Sequence, residues 1–178
     1  MPKINNKIYV FITDDNAILK YPKFNIVTKA YIGRNGAISQ IQKQEGDGKT
    51  PLGEFELGIA LGKFPSTNNT NGLKYMQITE DMYWIDDVKS KYYNQLVNIS
   101  KVTKDWNSAE HLIDYPIQYE YLIEIKTNPN NIPQRGSAIF LHCSNNQATA
   151  GCVAVDRNVM KEIIENIDEN TKIIITKM

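Results

Sequence analysis

The sequence predicts a mainly β fold with one α-helix near its carboxyl end, and three observations support this. Short stretches rich in β-branched and aromatic residues recur along the chain, and residues 7–13 are the clearest of them. Polar and apolar residues alternate over residues 54–58, which is the period of a half-buried strand. Apolar residues spaced by three and four positions follow Asp156, and this spacing is typical of a helix with one buried face.

The first strands are expected to form a hairpin. Residues 7–13 are the outgoing strand, residues 14–16 a turn, and residues 17–21 the return strand. A third strand over residues 24–32 ends at the Gly-Arg-Asn-Gly sequence of residues 33–36. Further strands are expected at residues 54–58, 73–79, 119–126, 137–142, 153–155 and 171–176, and a polar loop at residues 66–72.

One helix and one long insertion complete the expected organisation. Asp156 is the N-cap of the helix, which ends near residues 168–170. Its apolar face consists of Val159, Met160, Ile163, Ile164 and Ile167. Residues 81–116 are rich in aromatic side chains but have no clean periodicity, so we expect an irregular insertion with a short helix near residues 108–113. A length of 178 residues suits one domain that covers residues 1–178.

Composition excludes several classes of protein. Lys plus Arg is 20 and Asp plus Glu is 20, and this zero net charge argues against nucleic acid as the main partner. No stretch reaches the roughly 18 apolar residues of a membrane span. Two cysteines cannot build a disulfide framework. The polar start shows no hydrophobic region with a cleavage site, so no signal peptide is expected in this chain.

One apparent phosphate-binding motif fails on inspection. Gly48-Lys49-Thr50 looks like the end of a P-loop, but Lys43 stands where that motif needs glycine. Pro51 follows at once, where a helix would have to begin. We therefore interpret residues 45–53 as a tight turn that leads into the next strand.

A histidine and a cysteine stand ten positions apart between expected strands. His142 ends an apolar run, and Cys152 follows Gly151 just before the strand at residues 153–155. An imidazole within hydrogen-bond reach can take a thiol proton, and the resulting ion pair lowers the thiol pKa. Backbone N–H groups around Gly151 and Cys152 could hold an oxyanion. These are the groups that acyl transfer through a thioester needs.

Two other interpretations are open on these residues alone. A free cysteine is often a small buried hydrophobic residue, and a histidine at a strand end is often a satisfied polar group. Alternatively His142, Cys143, Cys152 and His111 could bind zinc, although the sequence lacks the closely spaced ligand pairs of structural zinc sites.

Three segments together resemble the L,D-transpeptidase catalytic domain, also called the YkuD domain. Residues 33–36 and then 47–55 (Asp-Gly-Lys-Thr-Pro-Leu-Gly-Glu-Phe) resemble the early strand and signature of that family. Residues 137–142 resemble the strand that carries the catalytic histidine, and residues 149–153 (Thr-Ala-Gly-Cys-Val) resemble the nucleophile motif. The segments occur in the family's order and span residues 33–155, which makes the set more specific than any one of them.

The resemblance implies a YkuD-like β-sandwich or barrel with one helix that follows the catalytic cysteine. It implies Cys152 as nucleophile and His142 as general base and then acid, with the backbone carbonyl of Cys143 orienting the imidazole. It also implies an oxyanion hole made by the backbone N–H groups of Ala150, Gly151 and Cys152. No cofactor and no metal are implied.

The implied substrate is bacterial peptidoglycan. The cysteine would attack the third residue of a tetrapeptide stem, release the terminal D-alanine, and pass the acyl group to an amine of a second stem, giving a 3-3 cross-link. The implied partners are donor and acceptor stems, and carbapenems would acylate Cys152. The resemblance places the protein in the cell envelope, with a leader missing from this sequence.

Two residues near the implied site depart from the family pattern, and others nearby are candidates for substrate binding. Ala154 stands where the family often has Arg or Asn, and Ala150 where many members have His. We expect Thr149, Tyr93, His111 and Trp84 to bind substrate. Four aromatic residues of the insertion are expected to form a lid or a saccharide-facing wall, and they are Trp84, Tyr92, Tyr93 and Trp106. The alternative is that these aromatic residues are simply core.

Two further alternatives concern Cys143 and the function itself. The Cys143 side chain is either inert packing on the far side of the strand or a partner that pairs with Cys152 on oxidation. The chain could also be a carboxypeptidase or amidase of the same fold, or a non-catalytic wall-binding domain. Selective reactivity of Cys152 with a thiol reagent would separate an enzyme from a binding domain.

Overall fold

The computed structural model describes residues 6–14 and 16–178, and within them the chain forms thirteen strands and one α-helix. The strands are β1 (Lys7–Ile12), β2 (Ala17–Tyr21), β3 (Ile26–Tyr31), β4 (Ala37–Ser39), β5 (Thr50–Gly62), β6 (Tyr75–Gln77), β7 (Met82–Ile85), β8 (Leu96–Asn98), β9 (Ala109–His111), β10 (Tyr121–Ile125), β11 (Phe140–Cys143), β12 (Val153–Val155) and β13 (Lys172–Lys177). The α-helix is α1 (Arg157–Asn166), and short 3-10 helices lie at Pro22–Phe24, Gln40–Gln42, Leu112–Asp114 and Gln118–Glu120.

Eight of the strands close into a barrel. Their order is β10, β11, β12, β3, β2, β1, β13 and β5, and β5 pairs back with β10 to complete the ring. Closure leaves these eight strands without a free edge. The strands β4 and β6 attach to β5, which at thirteen residues is the longest strand. The mainly β barrel with a single helix agrees with the fold class predicted from the sequence.

The barrel interior is built by simple alternation. On β1 the side chains of Ile8, Val10 and Ile12 are buried while their neighbours are half-buried, as a period of two requires. The helix α1 packs against β10 and β11 and buries Met160, Ile163 and Ile164. The Asp156 carboxylate caps this helix by accepting a hydrogen bond from the Asn158 N–H at 2.8 Å, as predicted.

The predicted hairpin is confirmed, with one difference in the turns that follow. β1 and β2 pair antiparallel, and Asp15 of the expected turn lies outside the described residues. The tight turn predicted for residues 45–53 is shorter than expected, because β5 begins at Thr50 and pairs with β4 over residues 50–52. Pro51 fits within a strand here because its fixed φ is compatible with extended backbone.

The prediction that residues 81–116 are irregular was wrong in part, because three short strands form within them. The strands β8, β7 and β9 form a small antiparallel sheet. The helix expected near residues 108–113 is instead β9 followed by the 3-10 helix Leu112–Asp114. Side chains of this sheet pack on the barrel, where Trp84 meets the Phe140 ring edge-on at 4.8 Å between centroids. No helix of the described residues is long and apolar enough to span a membrane.

Candidate active site

The strands β11 and β12 place the predicted catalytic pair on one surface. They are parallel neighbours, and His142 lies opposite Ala154 in their register. Since Cys152 precedes Ala154 by two positions, its side chain lies on the same face as those of His142 and Phe140. That face belongs to a hydrophobic cluster that contains Cys152 and Phe140. The other face of the two strands, with Cys143, belongs to the main barrel core.

The imidazole of His142 is held in one tautomer. Its Nδ1 lies 2.8 Å from the backbone carbonyl oxygen of Cys143, which can only accept, so Nδ1 carries the proton. The unprotonated Nε2 is therefore available as a base. His142 is 6% exposed, and burial lowers its pKa to about 4 despite the hydrogen bond to the carbonyl.

The thiol of Cys152 is buried and neutral. It donates to the Ala138 carbonyl at 3.2 Å and accepts from the Phe140 N–H at 3.2 Å. Burial and then the negative charge of Glu110 raise the pKa of Cys152 to about 12. The expected lowering of this pKa by an ion pair is thus not found. Among the described residues, the hydrogen bonds that the structure shows for the thiol do not include His142.

The threonine of the signature segment ties the nucleophile loop to the rest of the barrel. Thr50 is fully buried, and its Oγ1 accepts from the Gly33 N–H at 2.8 Å. The same hydroxyl donates to the Gly151 carbonyl at 2.8 Å, and Gly33 also bridges to Thr149. A Cβ at Gly33 would lie 2.4 Å from the Gly48 carbonyl oxygen, so the crossing requires glycine. The first and last of the three sequence segments therefore meet at Thr50.

The loop before Cys152 is also braced from within. Thr149 Oγ1 donates to the Cys152 carbonyl at 2.7 Å and accepts from the Gly151 N–H at 3.1 Å. The Gly151 N–H, expected in the oxyanion hole, is therefore occupied by Thr149 in this structure. Gly151 has a φ of +149°, and a Cβ there would lie 3.1 Å from the Lys49 carbonyl oxygen and Ile139 Cδ1. Ala150, between them, is exposed.

The chain matches the family model of the L,D-transpeptidase catalytic domain, YkuD, over residues 3–175. This match covers nearly the whole chain. The chain belongs to the YkuD family of L,D-transpeptidase catalytic domains. No curated protein matches the chain.

Membership makes the chain an L,D-transpeptidase of a family that acts on peptidoglycan stems and, in general, on the cell wall. The three segments of the YkuD resemblance lie together in the structure: the signature at Thr50, the histidine strand β11, and the nucleophile loop before β12. Ala154, where the family often has a longer polar residue, is 1% exposed and lies between His142 and Tyr31 on the neighbouring strands.

The aromatic residues expected to bind substrate in this YkuD domain are mostly core. Trp84 and Tyr93 are each 2% exposed, and Trp106 is 4% exposed. Trp84 donates from Nε1 to Asn94 Oδ1 at 3.1 Å, and the Tyr93 hydroxyl donates to Glu45. Trp84 and Tyr93 present almost no surface to a ligand, so the alternative interpretation, core packing, describes them better.

His111 is held away from His142 and Cys152, the predicted catalytic pair. Its Nδ1 lies 3.1 Å from Asp114 Oδ2, its Nε2 lies 2.7 Å from the Glu80 carbonyl oxygen, and its ring stacks on Tyr83. The structure therefore does not bring His111 to Cys152. Its neighbour Glu110 points the other way along β9 and reaches the site instead, through a hydrogen bond from Tyr119.

The two cysteines of the YkuD domain are both free and face different clusters. The Cys143 side chain lies in the barrel core, with its sulfur 3.7 Å from the Tyr121 carbonyl oxygen. This arrangement agrees with inert packing for Cys143 rather than with pairing to Cys152. The side chains considered for zinc do not converge, and the described residues contain no grouping of His, Cys, Asp and Glu suited to a metal ion.

Sequence reasoning missed three groups beside the pair. Tyr119 is 6% exposed, and its ring meets the His142 ring edge-on at 5.6 Å between centroids. Glu110 accepts from the Tyr119 hydroxyl. Lys43 is 3% exposed, pairs with Asp47, and acts on Cys152 with a positive charge. Lys43 is the residue that stands where a P-loop would need glycine. No pattern in a single sequence predicts that its side chain is buried.

Proposed function

We propose that this chain is a peptidoglycan L,D-transpeptidase that forms 3-3 cross-links through a thioester on Cys152. The observation that carries the proposal is the shared face of His142 and Cys152, with the Nδ1 proton of His142 committed to the Cys143 carbonyl. That leaves an unprotonated Nε2 on the same face as the proposed nucleophile, in a domain of the YkuD family. Its substrates are a donor tetrapeptide stem and an amine-bearing acceptor stem, which places its work in the cell envelope.

In the acylation step, the thiol rotates from the Ala138 carbonyl toward His142 Nε2. The sulfur attacks the carbonyl carbon of the third stem residue as the thiol proton passes to Nε2. Both pKa shifts disfavour a separate thiolate–imidazolium pair, so proton transfer accompanies attack. Backbone N–H groups of Ala150 and Cys152, joined by Gly151 if it releases Thr149 Oγ1, stabilise the oxyanion.

Collapse of the tetrahedral intermediate breaks the C–N bond to the terminal D-alanine. The His142 imidazolium returns its proton to the departing amine, and the thioester remains on Cys152. The acceptor amine then attacks the thioester carbonyl and gives its proton to Nε2. The C–S bond breaks, the sulfur takes that proton, and an amide cross-link and a free thiol result.

The test is mass spectrometry of the products formed from a disaccharide-tetrapeptide, with the wild type beside Cys152→Ala. We expect a dimer that lacks one D-alanine from the wild type and no product from the variant, whose folding is checked by circular dichroism. A tripeptide monomer alone would replace the proposal by a carboxypeptidase. Substantial product from Cys152→Ala, or none from the wild type, would overturn the catalytic role and favour a wall-binding domain.

The same thiol is proposed to react with carbapenems, whose strained carbonyl takes the place of the stem carbonyl. We expect a mass increase of one carbapenem on the peptide that contains Cys152 and none on the peptide that contains Cys143. An adduct that persists in Cys152→Ala would contradict this assignment.

A further inference from the structure

A carboxyl group outside the three family segments is connected to the catalytic pair through Tyr119. Glu110 belongs to β9 of the insertion and is only half-buried, yet its Oε2 accepts a hydrogen bond from the buried hydroxyl of Tyr119. The insertion therefore contributes a hydrogen-bonded side chain to the site.

Tyr119 connects this carboxyl group to the catalytic histidine. Its ring contacts His142 edge-on at 5.6 Å and Phe140 edge-on at 5.6 Å between centroids. Phe140 is the residue whose N–H donates to the Cys152 sulfur. One aromatic ring thus packs against the base and against the residue that holds the nucleophile, and Glu110 fixes the far end of that ring.

We propose that Glu110 and Tyr119 are positioning residues: the Tyr119 ring orients the His142 imidazole, and the Tyr119 hydroxyl holds the Glu110 carboxyl group at the site. The geometry of the two ring contacts and the hydrogen bond carries this assignment. Its consequence for turnover rests on the proposed function, whereas its effect on the thiol does not.

The charges that face these groups set the direction of the effect. Burial raises the pKa of Glu110 to about 7, the Tyr119 hydrogen bond opposes this, and the charges of Asp86 and Glu45 add to it. At the thiol, Glu110 opposes ionisation and Lys43 favours it. Tyr119 stays protonated, because burial, Glu110 and Cys152 all raise its pKa. Protonation of Glu110 near neutral pH therefore removes a negative charge that disfavours the Cys152 thiolate.

The first experiment measures the alkylation rate of Cys152 by iodoacetamide between pH 5.5 and 9, with Cys143 in the same molecule as the internal reference. In Glu110→Gln the charge is absent at every pH. We expect the rate ratio of variant to wild type to be near one at pH 5.5, to rise through pH 7, and to reach about tenfold at pH 9. A purely structural effect would change the ratio equally at all pH values.

Two further variants make the result specific. Asp114→Asn removes one exposed charge from the adjoining 3-10 helix, and its ratio is expected to remain near one throughout. Tyr119→Phe keeps the ring but removes the donor to Glu110, so the wild-type Glu110 titration is expected to move to higher pH. A ratio for Glu110→Gln that is flat with pH, or that Asp114→Asn reproduces, would overturn the coupling to the thiol.

The orientation of His142 is tested by nitrogen-15 NMR of its imidazole. We expect the Nδ1–H tautomer in the wild type and in Tyr119→Phe, and a mixture of tautomers in Tyr119→Leu, which loses the ring. Identical spectra for Tyr119→Leu and wild type would refute the positioning role. A wild type that makes no cross-link would remove the proposed function while leaving both of these measurements interpretable.

Discussion

At the scale of single residues, Thr50 explains why a threonine stands in the signature segment. The Thr50 hydroxyl accepts a hydrogen bond from the Gly33 N–H and donates one to the Gly151 carbonyl. The three groups are buried, so water cannot take the place of the hydroxyl as their hydrogen-bond partner. A buried backbone group that loses its partner costs about 1–3 kcal/mol. The hydroxyl thus fixes the nucleophile loop relative to the barrel.

Replacing Thr50 by valine is therefore expected to lower the free energy of unfolding by about 1–3 kcal/mol, since the shape is kept and only the hydroxyl is lost. Urea unfolding followed by tryptophan fluorescence measures this change. The matched control is Thr176→Val on β13, where the half-buried hydroxyl meets only the Lys177 carbonyl. Equal losses in the two variants would contradict the bridging role of Thr50.

The placement of His142 and Cys152 on neighbouring strands was predictable from sequence, whereas the groups around them were not. His142 and Cys152 stand in short local motifs, and a strand end is visible in an apolar run that stops at a histidine. Glu110 comes from the insertion, which has no recognisable period, and Tyr119 from the start of an expected strand. Tyr119 meets Glu110 and His142 only through tertiary packing. His111 was expected to bind substrate or zinc, but alternation along β9 directs it away from the site.

At the scale of elements, the insertion contributes side chains to the hydrophobic cluster that contains Cys152. Its strand β7 places Trp84 against Phe140, in the cluster that also holds Cys152. Trp84 is 2% exposed, so its side chain stabilises the fold and does not present a surface that could bind a saccharide. The insertion and the barrel are therefore expected to unfold together.

Trp84→Ala is expected to destabilise the protein by about 3–5 kcal/mol, because a large buried side chain is lost and a cavity remains. Tyr83→Ala, on the same strand but half-buried and stacked on His111, is the control and should cost clearly less. Thermal unfolding of both variants measures the difference. Unchanged stability of Trp84→Ala, with weaker binding of muropeptides, would instead restore the lid interpretation.

The elements differ in how far sequence could predict them. The β1–β2 hairpin and α1 are local, and their periodicity and cap are visible in a few residues. The pairs β1–β13 and β5–β10, which close the barrel, join segments far apart in the chain, and no local pattern encodes them. The strands β8 and β9 have three residues each, which is too short for a period of two to appear.

At the scale of the whole molecule, the buried His142 and the half-buried Glu110 give opposite pH dependence to stability. His142 has a pKa of about 4 in the folded protein and 6.5 as its ordinary value, so unfolding takes up a proton between these pH values. Its contribution is present above pH 6.5 and is lost as the pH falls toward 4. Glu110 has a raised pKa of about 7 against 4.5, so its contribution is present below pH 4.5 and is lost as the pH rises through 7.

The pKa difference of each group changes the free energy of unfolding by at most about 3 kcal/mol. In the pH range where both groups titrate, the two changes have opposite sign and largely cancel. Removing either ionisable group should make the pH dependence caused by the other group visible in the free energy of unfolding. Relative to wild type, we expect the free energy of unfolding of Glu110→Gln to increase from pH 4.5 to 7, and that of His142→Gln to decrease over the same range. Urea unfolding at half-unit pH steps measures both curves, with exposed Glu80→Gln as a control that should run parallel to wild type. Curves for all three variants that stay parallel to the wild type would mean that neither group titrates differently on folding, and the neutral, water-excluded site on which both proposals depend would have to be abandoned.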